Sequence, residues 1–318
     1  MKRIATYSLV VVCLLYTYRA FLYAGIRKNR QGIYDKYNEL FIKTNLSYNV
    51  LFLGSSRAEM HFSPQIFDSI TSLNSYNMGI EGASVKLSFA LLKIYRHQHQ
   101  IPKHIVFNVD YFSLDNDTNR LINFPRYFPY LQNAYLMKEL SQLDDRMNSF
   151  YYNPLHSLPY TQFNYLSASL HGWLTISGKY DTLMYKGFQT SFSNEFNDSK
   201  VKKPSLSFIS DTNRHYLDSI ILFSKKHAIH LVLVTTPVTE SIRKQILNKG
   251  SLAKEMKDIA NSHQIDYFDY SDSLAFDGIH FFSDANHLNL KGAKKFTESF
   301  SNVFNTIINQ NSLLKVQP

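Results

Sequence analysis

Cysteine is almost absent from this sequence, and its scarcity excludes several kinds of protein. The 318 residues include a single cysteine, Cys13. One cysteine cannot build a disulfide framework or a metal site made of thiolates. The residues before it, Val-Val-Val, are larger than those that precede a lipidated cysteine. The lack of disulfides leaves the compartment open, because many extracytoplasmic domains have none.

Basic tracts interleaved with aromatic residues are missing as well, as is any nucleic-acid-binding motif. The formal net charge is nevertheless +9, which is compatible with nucleic acid, a membrane surface or anionic glycans. Without a tract or a motif we expect no nucleic-acid partner. Hydrophobic residues make up 44% of the chain and aromatic residues 15%, which indicates a folded protein with a full core.

The N-terminus holds the longest apolar segment. Met-Lys-Arg precedes an apolar run that Arg19 interrupts and that ends at the basic residues 27–30. A cleaved signal peptide would need small residues before its cleavage point, and this segment fits that poorly. We therefore predict a signal anchor over residues 1–26, with the remaining chain outside the cytoplasm. The alternative is an ordinary buried helix.

Apolar runs alternate with helical stretches from residue 49 onward. The runs at 50–54, 75–80, 104–112, 229–238 and 265–271 predict buried strands, which indicates an α/β fold with a parallel sheet covered on both faces. Residues 113–206 break this rhythm and are rich in aromatics, so we expect a mainly helical insertion there. Its Trp173 is interpreted as a core residue, with a sugar-stacking platform as the alternative.

Two glycine-containing turns follow the first two strands. Gly54-Ser55-Ser56 ends the first, where ligands bind in such sheets, and an exposed serine there could act as a nucleophile. The alternative is that Ser55 and Ser56 only form the turn and cap the next helix. The second turn, Asn77 to Gly82, would let a backbone N–H approach a substrate oxygen.

A pair of acidic and histidine residues stands near the C-terminus. Asp284 and His287 are three positions apart, so on one helical turn the carboxylate could hold the imidazole while it takes a proton from a serine. Asp277 and His280 repeat the spacing, and spacing alone does not separate the two pairs. His97 and His99 are two apart at a helix end and point apart, so we expect no metal site there.

In this order the segments GSSR, NMGIEG and DANHLNLKGA resemble the blocks of the SGNH/GDSL hydrolase superfamily. The resemblance covers about 45–112 and 207–310 and implies a three-layer flavodoxin-like fold in a domain at 45–310. It implies that Ser56 is the nucleophile and that Gly82 joins the Ser56 N–H in the oxyanion hole. A glycine five positions after the histidine, here Gly292, favours Asp284 and His287 over Asp277 and His280.

The third block of that family, Gly-x-Asn-Asp, has no match here. The strand ends with Asn108 and Asp110 instead, and a carboxylate would repel an oxyanion, so we expect a hole made of backbone N–H groups. Arg57 could bind an anionic substrate or pair with an acid such as Glu59.

The closest resemblance is to anchored envelope members, such as D-alanyl-lipoteichoic acid biosynthesis proteins and alginate-type O-acetyltransferases. It implies an extracytoplasmic serine esterase or O-acyltransferase that uses no cofactor or metal and acts on acyl esters of envelope glycan. A membrane acyltransferase is a possible partner. The competing hypothesis is a catalytically degenerate protein of the same fold that serves as a binding or assembly partner.

Overall fold

The structure is a computed structural model of the whole chain. It describes residues 2–115, 120–160, 163–174, 184–189, 196, 204–276 and 278–314. Asp277, one of the two candidate acids, therefore lies outside the described residues.

Seven strands occur in the described residues. They are β1 (Val50–Leu53), β2 (Ser75–Asn77), β3 (His104–Asn108), β4 (Met184–Tyr185), β5 (Phe188–Gln189), β6 (His230–Thr235) and β7 (Asp266–Asp269). Five of these strands form one parallel sheet in the order β2-β1-β3-β6-β7, and β4 pairs antiparallel with β5. Val50 is level with Ser75 and His104 in the two strands beside β1. The predicted α/β class with a parallel sheet is confirmed.

Thirteen α-helices occur in the described residues. They are α1 (Lys2–Lys28), α2 (Gly32–Phe41), α3 (Ser56–His61), α4 (Pro64–Thr71), α5 (Val85–Gln98), α6 (Tyr111–Asp115), α7 (Ala134–Ser141), α8 (Arg146–Tyr152), α9 (Phe163–Trp173), α10 (Asp211–Lys226), α11 (Glu240–Gln245), α12 (Lys249–His263) and α13 (Leu290–Leu314). Short 3₁₀ segments span Phe124–Tyr130, Pro154–Tyr160, Leu274–Phe276 and Ile279–Phe281. The insertion predicted at 113–206 is mainly helical where the structure describes it.

The chain divides into two compact units. The first comprises Met1–Leu46, Lys93–His99 and Asn119–Asp181, and the second comprises Ser47–Leu92, Gln100–Thr118 and Thr182–Pro318. The second unit contains the sheet. Its core is an aromatic cluster in which Phe52 of β1 stacks on Phe62, and Phe62 meets Phe296 and Phe300 of α13 edge-on. These contacts fix α13 against the α3 and α4 region of the unit.

The first unit is built around the C-terminal end of α1. Leu22, Tyr23 and Ile26 are buried there, whereas residues 2–18 of the same helix are exposed. Among the described residues, α1 is the helix that is long and apolar enough to cross a membrane. An ordinary core helix would bury its apolar side chains along its length, so this exposure favours the predicted anchor.

Helix α9 packs closely against α1 in this unit. The prediction that Trp173 is a core residue is wrong, because the side chain is exposed. It stacks on Phe21 with ring centroids 5.4 Å apart and donates its indole N–H to the Phe21 carbonyl oxygen. The Lys28 ammonium also lies over the Trp173 ring, 3.8 Å from its centroid. The only tryptophan of the sequence thus holds two helices together.

Candidate active site

The end of β1 presents two serines that have different surroundings. Gly54 has a φ of +138°, and a Cβ at this position would lie 2.9 Å from the Asn108 carbonyl oxygen. A residue with a side chain would be strained in that conformation and crowded by the neighbouring strand. Ser55 is the N-cap of α3, and its hydroxyl oxygen accepts a bond from the Arg57 N–H. Ser56 is the first residue of the helix.

The Ser55 side chain is held by a hydrogen bond to Asp110, which follows β3. Its hydroxyl donates to Asp110 Oδ2 at 2.5 Å, and the same carboxylate oxygen accepts from Asn108 Nδ2 at 3.2 Å. The other oxygen, Oδ1, accepts from the Ser113 N–H at 2.8 Å. Asp110 is completely buried. Its oxygens are therefore occupied by donors of the protein, and the carboxylate acts as a support for the turn.

The turn after β2 lies beside the first. Asn77 donates its side-chain amide to the carbonyl oxygens of Ala58 and Phe62 in the α3 segment and accepts from the Gly79 N–H. A Cβ on Gly79 would lie 2.4 Å from the Glu59 nitrogen, so only glycine lets the two segments meet. The Ile80 N–H donates to the Gly54 carbonyl oxygen at 3.1 Å.

Gly82, the predicted oxyanion-hole residue, follows in that turn. It has a φ of +71°.

Asp284 and His287 lie in a loop that precedes α13. The helical turn predicted for these two residues is wrong: Asp284 Oδ1 accepts from the N–H groups of Asn286 and His287 at 2.8 and 3.1 Å. An aspartate that bonds to the backbone two and three residues on forms a tight turn of its own. In this turn the side chains of Asp284 and His287 still come into contact, as they would three positions apart on a helix.

Three side chains from the two ends of the sequence meet at this loop. Ser56 Oγ is 2.8 Å from His287 Nε2. On the opposite side of the ring, His287 Nδ1 is 3.0 and 2.9 Å from the two oxygens of Asp284. An ionised carboxylate only accepts hydrogen bonds, so Nδ1 carries the proton and Nε2 is left to accept from the Ser56 hydroxyl.

The electrostatics of Asp284 favour its ionised form. Burial by itself would raise the pKa of this carboxyl, but the hydrogen bond and charge of His287 and the two backbone N–H groups lower it below its usual value. The side chains of His287 and Asp284 are 23% and 28% exposed. The imidazole is therefore oriented by a charged partner, and both side chains remain partly exposed to solvent.

A buried histidine that the sequence analysis did not single out supports the loop. His61, at the C-terminal end of α3, accepts the Leu288 N–H at its Nε2, 3.0 Å away. Burial, followed by the nearby charges of His287 and Arg57, holds the pKa of His61 well below its usual 6.5. Thr239 bonds to the Ala285 carbonyl oxygen on another side. No local signal in the sequence marks His61 as a partner of residue 288.

Gly292, which the resemblance singled out, has a physical role in the same region. A Cβ there would lie 2.1 Å from the Phe281 carbonyl oxygen. Its N–H donates to the side chain of Asn289. The absence of a side chain at Gly292 thus allows the start of α13 to pack against the segment before it, which leads into the loop with Asp284 and His287. The alternative histidine, His280, is exposed.

The remaining candidates have other surroundings. Arg57 is buried and donates to Asn286 Oδ1 at 2.9 Å rather than to Glu59. In the first unit, His97 stacks on Tyr135 and His99 accepts the Leu46 N–H. Groups of three or more metal-binding side chains are not found in the described part of the chain.

Comparisons with known proteins show distant similarity. One protein-family model matches residues 189–309, a range that includes Asp284 and His287 but not Ser56. No curated protein matches the chain.

Several solved structures resemble the chain. A protein from Desulfitobacterium hafniense, assigned as a lipolytic protein of the G-D-S-L family, has 10% identity and a TM-score of 0.42 over 81% of this chain and 99% of its own. A GDSL-like lipase from Bacteroides thetaiotaomicron has 12% identity and a TM-score of 0.38, covering 81% and 88% of the two chains. A protein from Streptococcus pneumonia assigned as a platelet activating factor has 13% identity and a TM-score of 0.44, with coverage of 93% and 98%.

Proposed function

We propose that this chain is a membrane-anchored serine esterase or O-acyltransferase of the SGNH type. The observation that carries the proposal is the 2.8 Å contact between Ser56 Oγ and His287 Nε2, with Asp284 on the opposite ring nitrogen. A hydroxyl, an imidazole and a carboxylate in this order are the elements of a nucleophilic triad. In this proposal Ser56 is the nucleophile, His287 the base and acid, and Asp284 the group that orients His287.

The first half of the reaction transfers the acyl group to the protein. Ser56 Oγ attacks the carbonyl carbon of an ester while its proton passes to His287 Nε2. The tetrahedral intermediate collapses when the ester C–O bond breaks, and the leaving alcohol takes the proton from His287. Asp284 stabilises the imidazolium that exists between these steps. The product is an acyl-Ser56 ester and a free alcohol.

The second half releases the acyl group. Water, or the hydroxyl of an acceptor sugar, gives its proton to His287 and attacks the acyl-Ser56 carbonyl carbon. The Ser56 oxygen leaves and recovers the proton from His287. Water as acceptor makes the protein an esterase and a sugar hydroxyl makes it a transferase, so the same three side chains serve both reactions.

Backbone N–H groups are proposed to stabilise the oxyanion. Ser56 begins α3, where the first N–H groups of a helix have no partner within the helix. Gly82 lies in the turn that is bonded to Gly54 through Ile80. In the described residues neither the Ser56 N–H nor the Gly82 N–H donates to another group. Both are therefore available to a substrate oxygen.

The proposed location is the outer side of a membrane. The exposed apolar residues of α1 support an anchor, and a catalytic region outside the cytoplasm would meet acylated glycans of the cell envelope. A membrane acyltransferase is a proposed partner, because it could supply the acyl group that Ser56 accepts.

Covalent labelling tests the proposal directly. The detergent-solubilised full chain is treated with a fluorescent fluorophosphonate, which reacts with activated serines. Wild type is expected to be labelled, Ser56→Ala not at all, and His287→Ala at a rate lower by at least about 10³-fold. His280→Ala and Ser69→Ala are the matched controls and should label like wild type, because both residues are exposed and outside the triad.

The rival proposal is a non-catalytic protein of the same fold that acts as a binding or assembly partner. The missing asparagine block favours it, since the hole then has one donor fewer. An unlabelled wild type with a normal circular dichroism spectrum and cooperative unfolding would decide for the rival. Labelling that persists in Ser56→Ala would instead show that a different serine reacts.

A further inference from the structure

Arg57 carries a buried positive charge for which the described part of the chain provides no acidic partner. The residue is 5% exposed, and its Nη2 donates to the side-chain oxygen of Asn286 at 2.9 Å. Its Nη1 is buried without a hydrogen-bond partner. Within the described ranges no aspartate or glutamate forms an ion pair with it. A buried guanidinium in this state is costly, because charges taken out of water need a partner.

Asn286 extends this donor set. A guanidinium can only donate hydrogen bonds, so the Asn286 side chain must turn its oxygen toward Arg57. Its amide nitrogen therefore points away from Arg57 and has no bond to the rest of the described protein. The Asn286 backbone is fixed at the same time by Asp284, whose Oδ1 accepts its N–H. Two donor groups, one charged and one neutral, thus remain without acceptors.

The position of these groups relates them to the triad. Arg57 directly follows Ser56, and Asn286 directly precedes His287, so their contact joins the same two segments that the Ser56–His287 bond joins. An acceptor bound by both groups would therefore lie next to the two segments that carry Ser56 and His287. The acceptor that suits a guanidinium best is a planar or tetrahedral anion.

We propose that Arg57 and Asn286 bind an anionic group, a carboxylate or a phosphate, on the substrate itself. The preferred substrates are then acyl esters that carry a negative charge near the ester bond, and Arg57 is a specificity-determining residue. This inference rests on the proposed function and narrows its substrate class. The net charge of +9 is consistent with attraction of such substrates to the protein.

A kinetic experiment tests the inference with two esters that differ in charge. Wild type and Arg57→Gln are assayed with 4-nitrophenyl hydrogen succinate and with neutral 4-nitrophenyl butyrate. The substitution should lower kcat/KM for the succinate ester by about 10- to 100-fold, mainly through KM. The butyrate ester has no group that meets Arg57 and should lose much less, so the ratio of the two kcat/KM values should fall. Arg214→Gln removes one exposed positive charge elsewhere and should leave both values unchanged.

Two outcomes would overturn the proposal. Equal losses of kcat for both esters would mean that Arg57 donates to the oxyanion or only supports the fold. A wild type that does not prefer the charged ester would exclude anion recognition. Two further variants distinguish lost anion binding from a folding defect. Arg57→Lys should keep part of the preference for the charged ester. Asn286→Ala should weaken that preference while the circular dichroism spectrum stays unchanged.

A binding experiment separates this inference from the proposed catalysis. Calorimetric titration of Ser56→Ala with monomethyl succinate and with inorganic phosphate should give binding that Arg57→Gln in the same background abolishes. Dimethyl succinate is the neutral control and should not bind measurably. If Ser56→Ala binds the anions but wild type is not labelled by the fluorophosphonate, the anion site stands and the proposed enzymatic function fails. If wild type is labelled but anion binding does not depend on Arg57, the enzymatic function stands and the anion site fails.

Discussion

The Ser55 hydroxyl and the Asp110 carboxylate are hydrogen-bonded at 2.5 Å, and both side chains are buried. The residue before the proposed nucleophile is thereby tied to the segment after β3. Because Asp110 also accepts from Asn108 and Ser113, three donors converge on one carboxylate. The position of Ser56 depends on this convergence, since Ser55 caps the helix that Ser56 begins.

The first prediction concerns Asp110. In Asp110→Asn an amide nitrogen replaces one accepting oxygen, so at least one of the three donors faces another donor. We expect a loss of about 1–3 kcal/mol in the free energy of unfolding and slower fluorophosphonate labelling of Ser56. Urea unfolding and the labelling rate measure the two effects. Asp115→Asn, an exposed change in the following helix, should alter neither. Normal stability in Asp110→Asn would contradict the supporting role.

The second prediction is a pH dependence that originates at His61. The pKa of this residue is lowered by burial and by the charges of His287 and Arg57, so the unfolded chain binds a proton at higher pH than the folded chain. Stability from His61 is complete above the usual value of 6.5 and falls as the pH drops below it, by up to about 1.4 kcal/mol per pH unit.

Urea unfolding at pH 7.5, 6 and 5 measures this effect. His61→Gln should be less stable than wild type at pH 7.5 and should lose less stability than wild type between pH 6 and pH 5. His215→Gln, an exposed change on α10, is the matched control and should follow the wild-type curve. An unchanged slope in His61→Gln would refute the assignment.

The third prediction uses two glycines in helices. A Cβ at Gly172 would lie 1.8 Å from the Gly25 carbonyl oxygen, whereas a Cβ at Gly250 would meet nothing within 4 Å. Gly172→Ala should therefore force α1 and α9 apart and reduce stability by about 1–3 kcal/mol. Gly250→Ala should be neutral or stabilise by up to about 1 kcal/mol, through helix propensity. Thermal unfolding in detergent compares the two, and a stable Gly172→Ala would show that the helices do not pack as described.

The fourth prediction concerns the exposed part of α1. A chain that begins at Phe21 lacks the exposed residues 2–18 but keeps Leu22, Tyr23 and Ile26, which are buried in the first unit. We expect it to remain folded and to stay in solution without detergent. A chain that begins at Arg30 lacks those three residues as well and should unfold at lower temperature. Sedimentation and thermal unfolding distinguish the cases, and a truncation at Phe21 that still needs detergent would argue against an anchor limited to α1.

Much of the sheet and the proposed triad could be predicted from local patterns. Apolar runs marked the five parallel strands, because strands covered on both faces are apolar at every position. The order of the three sequence blocks indicated Ser56, Asp284 and His287, and the structure brings them within hydrogen-bonding distance. Their catalytic role stays a prediction until the labelling experiment is done.

The supporting contacts could not be predicted, because they join residues far apart in the sequence. His61 and Leu288 are separated by 227 positions, and nothing near either residue records the bond. The role of Asp110 was obscured for the same reason: the sequence shows a carboxylate near a site for an oxyanion, but not the donors that surround it. The helical turn expected at Asp284 was wrong because aspartate can bond to its own following backbone instead.

Helix α1 has no flexible connection between its exposed apolar part and the buried residues at its other end. Gly-rich or polar linkers let a tethered domain explore a volume that grows with linker length, and such freedom is missing here. In the proposed orientation the first unit stays in direct contact with the bilayer surface. A partner of this unit must then be reachable at the height of the lipid head groups, so the unit would not capture molecules far from the membrane.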